Sequence, residues 1–209
     1  MTYQFHTISK QVLGDLQTPV SIYLKVRDIY PESALLESSD FHGNTNSLSF
    51  IALCPLGSIG INRGTATLKY PDGQEETQPL QPDFQVQDAM NRFLSCFEIQ
   101  GNEARYVGLF GYTSFDAVKY MEPIPVAESH HEENDAPDIL YILYKYLIVF
   151  DHFKNELTLI ELLSEGETPH LKDIETLINN RNFASYNFHT VGEEHSPISD
   201  ETYKAMVRQ

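Results

Sequence analysis

An α+β fold is what the sequence predicts, on three observations. The stretch "TATLKYPDGQEETQPL" sets a β-rich run, a Pro-Asp-Gly turn and a second polar run in series, the pattern of a hairpin. A longer hairpin follows in "DILYILYKYLIVF", the turn "DHFKN" and "ELTLIELL". Among them lie amphipathic helical runs: "VQDAMNRFLSCF", apolar at 86, 89, 90, 93, 94 and 97, and "HLKDIETLINNR".

The remaining elements follow from local signals. In "QTPVSIYLKV", Thr18 before Pro19 suits an N-cap and a first helical position. Apolar residues at 20, 23, 24 and 26 favour a short helix there, although the alternation at 20, 22, 24 and 26 also fits a strand. "ALLESS" and "SLSFIALC" are expected as two strands separated by the polar loop "DFHGNTN". "RYVGLFGY" is expected as a strand with glycines, passing into "TSFDAVKYMEPIP". There Phe115, Val118 and Met121 recur every three residues, and Pro123 and Pro125 stop the helix. Residues 182–198, polar and uneven, form a linker. "PISDETYKAMVRQ" then opens a helix capped by Ser199, with acids at 200 and 201 and Tyr203, Met206 and Val207 at helical spacing.

Composition narrows the function. The 209 residues suggest one domain or one and a half, large enough to bury roughly 70% of the unfolded surface. Thirty acidic residues against 14 basic ones give a formal net charge of −16, which argues against a nucleic-acid partner. Cys54 and Cys96 sit far apart in apolar stretches and are expected as reduced core residues, which fits the cytoplasm. The N-terminus shows no signal peptide, and the most apolar run, residues 139–150, is interrupted by Lys145 and too short for a membrane span.

Free-standing catalysis finds little support. His130-His131 with Glu132, Glu133 and Asp135 is rich in metal-ligand types, yet adjacent histidines on an extended segment point opposite ways, so a solvated loop is expected. No nucleophile elbow or phosphate loop is present; "GLFGYTS" lacks the Lys-Ser/Thr of the latter. The segment "LLESS" is more informative. If it is extended, Leu36 and Ser38 share one face, and Leu35 and Glu37 the other. An apolar wall beside a hydroxyl and a carboxylate suits a free amino acid; an ordinary strand end, capped by Ser38 and Asp40, is the plainer alternative.

Several motifs in order, "TPVSIYLKV", "LLESSD", "SLSFIALCP" and "GLFGYTSFDAVKYMEPIP", resemble the N-terminal region of anthranilate synthase component I. The family pattern there runs Thr-Pro-Val, Leu-Leu-Glu-Ser, an aromatic-Ser-Phe-Ile-Gly run, and Gly-x-x-Gly-Tyr-x-x-Tyr-Asp-x-Val-Arg-x-x-Glu. "SDETYKAMVRQ" resembles the start of the chorismate-utilising domain that follows. The resemblance thus implies residues 1–181 as the N-terminal regulatory region, 182–198 as a linker and 199–209 as the opening helix of the next domain. It also implies antiparallel sheets packed on each other with flanking helices, a partial version of the anthranilate and aminodeoxychorismate synthase fold.

In that family the Leu-Leu-Glu-Ser segment lines the site of tryptophan feedback inhibition. Carried over by motif, Leu36, Glu37 and Ser38 are expected to bind tryptophan, with Ser49 of the Ser-Phe-Ile run lining the same pocket. Gly108 and Gly111 are expected to allow close backbone approach, and Asp116 with Lys119 to form an ordering pair. Phe115 replaces the family Tyr and Lys119 the family Arg, and Lys is not equivalent to Arg at a bidentate contact. The full enzyme converts chorismate and glutamine-derived ammonia to anthranilate and pyruvate, with Mg²⁺ and a glutamine amidotransferase subunit. Its catalytic and metal-binding residues belong to the following domain, so none is assigned here and this chain alone is expected to be inactive. Component I of aminodeoxychorismate synthase and a stand-alone amino-acid-binding protein are the alternatives.

Overall fold

The computed structural model describes residues 2–38, 47–124, 126, 136–180, 189–193 and 195–208. The polar loop at 40–46, the His130-His131 cluster and much of the expected linker lie outside these residues. Two long strands form the spine. β3 (Leu48–Asn62) and β8 (Ile139–Asp151) pair antiparallel from Leu48↔Asp151 to Ile61↔Ile139. The pairing slips between Pro55 and Gly57, where Cys54 takes a left-handed φ of 62°. A bulge of this kind bends the strand it interrupts, so each spine strand can serve two sets of neighbours.

On one half of the spine, β2 (Ala34–Leu36) borders β3 and β9 (Glu156–Leu163) borders β8. β1 (Tyr3–Leu13) lies antiparallel to β9 and parallel to β6 (Phe97–Gln100). On the other half, the predicted hairpin of β4 (Thr65–Lys69) and β5 (Glu75–Pro79) borders β3, and β7 (Leu109–Thr113) borders β8. Among the described residues, the sheets expected to pack on each other are therefore joined in one sheet of nine strands, antiparallel apart from β1–β6. Residues from the two halves still meet: the Phe50 and Phe110 rings lie 5.5 Å apart.

Helices cover this sheet as the apolar spacing demands. α1 (Pro19–Val26) begins in a capping box, Thr18 Oγ1 accepting from the Ser21 N–H and Ser21 Oγ from the Thr18 N–H. It buries Ile22 and Val26, with Ile174 and Ile178 of α3 (Leu171–Asn179), against Ile51, Leu53, Tyr146 and Ile148. α2 (Val86–Leu94) sets Ala89 and Phe93 on Ile59, Ile61 and Leu68 of the other half. β9 is buried from Leu157 to Leu163, which explains its unbroken apolar sequence. The "TSFDAVKY" stretch forms a 3₁₀ turn, Phe115–Tyr120, and α4 (Asp200–Val207) starts at the Ser199 cap with every residue exposed.

Candidate functional site

β2 is an edge strand and ends at Leu36, opposite Phe50, while Leu35 lies opposite Ile51. Opposed residues of an antiparallel pair share a face. Leu36, 39% exposed, therefore sits on the Phe50 face, and Leu35 packs into the helix-covered core. Ser49, next to Phe50, points to the same side as Ile51 and is 1% exposed. The face expected to be shared by Leu36 and Ser38 is not formed. The strand stops two residues before Ser38, and its hydrogen bonds join that serine to the Ser49 side.

Those bonds define a hydroxyl cluster. The Ser38 backbone N–H donates to Ser49 Oγ at 3.2 Å, and the Ser47 hydroxyl donates to Ser38 Oγ at 3.2 Å. Ser49 Oγ also lies 2.7 Å from His152 Nε2, whose ring stands 4.7 Å from that of Phe150. Ser38 and Ser49 are thus brought together, whereas Leu36 and the exposed Glu37 border the cluster across the strand end. Ser47 and His152 are the members that sequence reading missed. Ser47 was legible, since a spacing of two along β3 puts it on the Ser49 face. His152 was not: it sits 103 residues from Ser49, in a stretch read only as a turn.

The glycine-rich motif behaves differently from expectation at two points. Lys119 pairs with Asp138 at 3.4 Å rather than with Asp116. Tyr120 completes that hub, its hydroxyl donating to Asp138 Oδ2 at 2.5 Å and accepting the Gly64 N–H at 2.9 Å. A Cβ at Gly111 would overlap the Leu140 carbonyl, the close approach expected, but a Cβ at Gly108 would meet nothing within 4 Å. Cys54 and Cys96 are free thiols, each half-buried at the margin of a core.

A second polar cluster holds the β9–α3 loop. Glu161, fully buried, accepts the His170 backbone N–H at 2.8 Å, with Lys145 Nζ 4.0 Å away. Lys145 also pairs with Glu167, and that bond holds the Glu167 carboxyl below its ordinary range. A cavity of about 620 Å³ opens beside β3, β4 and β8, with Ser58, Gly60, Thr67, Lys69 and Leu140 in its lining; none of the four expected tryptophan-binding residues lines it. Among the described residues no group of three or more His, Cys, Asp or Glu side chains could hold a metal. None of the described helices is long and apolar enough to cross a membrane.

Comparison with known proteins defines the class. Residues 53–209 match the family of chorismate binding enzymes, three quarters of the chain, and the chain belongs to that family. Among its relatives is anthranilate synthase component 1 of Acinetobacter calcoaceticus, 30% identical over 161 residues, covering 76% of this chain and 32% of the relative. The enzyme of the same name from Thermus thermophilus is 29% identical over 161 residues, covering 77% and 32%. That from Synechocystis is 28% identical over 184 residues, covering 84% and 34%. The chain spans about a third of the length of these curated relatives.

Proposed function

We propose that the chain is the tryptophan-sensing N-terminal region of an anthranilate synthase component I. That enzyme takes chorismate and glutamine-derived ammonia to anthranilate and pyruvate, a lyase reaction, with Mg²⁺ and a glutamine amidotransferase subunit. The chemistry is assigned to the part of the relatives that this chain does not span. Its own task is to hold L-tryptophan at the end of β2, through Leu36, Glu37, Ser38 and Ser49. Because β2 is an edge strand, a ligand lying against its end would reach side chains from both faces. The Ser38 hydroxyl suits the ligand carboxylate, the exposed Glu37 its ammonium, and Leu36 its indole.

One observation supports this most: a buried hydroxyl cluster sits where the Leu-Leu-Glu-Ser segment leaves the sheet. The aminodeoxychorismate alternative is not favoured, since the relatives named above are anthranilate synthases. Family membership likewise speaks against a stand-alone amino-acid-binding protein. Ser38→Phe in the full-length enzyme tests the reading. The bulky ring fills the ligand site and leaves the catalytic one alone, so tryptophan inhibition should weaken at least about tenfold while turnover stays within about twofold. Wild-type inhibition in that variant would count against the site.

A further inference from the structure

Among the described residues, hydrogen-bond satisfaction favours one arrangement of the protons in the hydroxyl cluster. Among the described residues, Ser49 Oγ has two hydrogen-bond neighbours, the Ser38 N–H and His152 Nε2. A backbone N–H only donates, so the Ser49 proton has one acceptor, the Nε2 lone pair. In that arrangement Nε2 accepts and the ring proton sits on Nδ1. Phe150 supports the ring at 4.7 Å, and the His152 backbone N–H donates to the Ser47 carbonyl at 3.1 Å. Through its ring and its backbone, His152 reaches both serines that hold Ser38. A nucleophilic role for this Ser-His pair does not fit, because Ser49 is 1% exposed and its Oγ already accepts the Ser38 N–H.

We propose that His152 is a positioning residue of the amino-acid site. Its Nε2 lone pair holds the Ser49 hydroxyl, which holds the Ser38 N–H and so sets the Ser38 hydroxyl toward the ligand. His152 itself does not touch the ligand. The ligand's identity rests on the function proposed above; the tautomer and the relay do not.

NMR on the whole 209-residue chain tests this with His152→Leu and His152→Gln. The glutamine carbonyl can accept the Ser49 proton, and leucine cannot. The expected wild-type ring is protonated on Nδ1 alone. Exchange of the Ser38 amide and the Kd for L-tryptophan should both rise about tenfold in His152→Leu, and return to within about twofold of wild type in His152→Gln. A protonated Nε2 in the wild type overturns the proposal, even if the leucine variant fails to fold. Wild-type exchange and affinity in a folded His152→Leu overturn it too. Lack of tryptophan binding by the wild type, with the tautomer and exchange pattern as expected, would support the relay and refute the ligand assignment.

Discussion

At the scale of single residues, two glycines flank β8 at almost the same level and carry opposite constraints. Gly60 of β3 lies opposite Leu140, and Gly111 of β7 lies opposite Tyr141. A side chain at Gly111 would run into the Leu140 carbonyl, a backbone atom that cannot swing away. A side chain at Gly60 would meet nothing closer than the Ile139 carbonyl at 3.8 Å, an ordinary contact. Gly111→Ala should therefore cost more than about 2 kcal/mol, whereas Gly60→Ala should change stability by less than about 1 kcal/mol, in the stabilising direction. Urea unfolding of both variants decides it, and equal midpoints would refute the backbone contact at Gly111. The sequence marked Gly111 as a point of close approach but marked Gly108 equally, since a glycine does not announce which neighbour comes near.

At the scale of elements, α1 and α3 depend on a cross-helix cap. Lys25 Nζ donates to the Ile178 carbonyl, in the last turn of α3, at 2.6 Å and to Gln17 Oε1 at 3.3 Å. Burial lowers the Lys25 pKa below its ordinary value. The folded state then releases this proton before the unfolded chain does, so stability from Lys25 rises as pH approaches 10.5, its ordinary pKa. Lys25→Met should cost about 1–2 kcal/mol at neutral pH, and the gap to wild type should widen toward pH 10. A gap that narrows with pH would contradict this account.

Among the described residues, both hairpins and the four α-helices could be read from local signals such as the Pro71-Asp72-Gly73 turn and the Thr18 and Ser199 caps, although the apolar pattern of α1 fitted a strand equally well. The parallel β1–β6 pairing could not, because it joins Tyr3 to Phe97, β1 does not alternate cleanly and β6 is only four residues long. The site was legible in part for the same reason. A motif located Ser38 and Ser49, but their partner His152 arrives through the β3–β8 register, which no local pattern encodes.

At the scale of the molecule, one bent sheet brings distant segments to the end of β2. The spine pairing carries His152 to Ser47 and Ser49, beside the edge strand β2. Residues 53–209 carry the family match, while Leu36, Glu37, Ser38 and Ser49 precede it. The chain contains no tryptophan, so the indole signals of the added amino acid stand clear of protein background. The most direct test is an NMR titration of the isotope-labelled chain with L-tryptophan. The account predicts saturable shifts of the Leu36, Glu37, Ser38 and Ser49 amides, with a Kd in the millimolar range or tighter, abolished by Ser38→Phe. Shifts confined to the cavity beside Gly60 and Thr67, or an unchanged titration in Ser38→Phe, would contradict it.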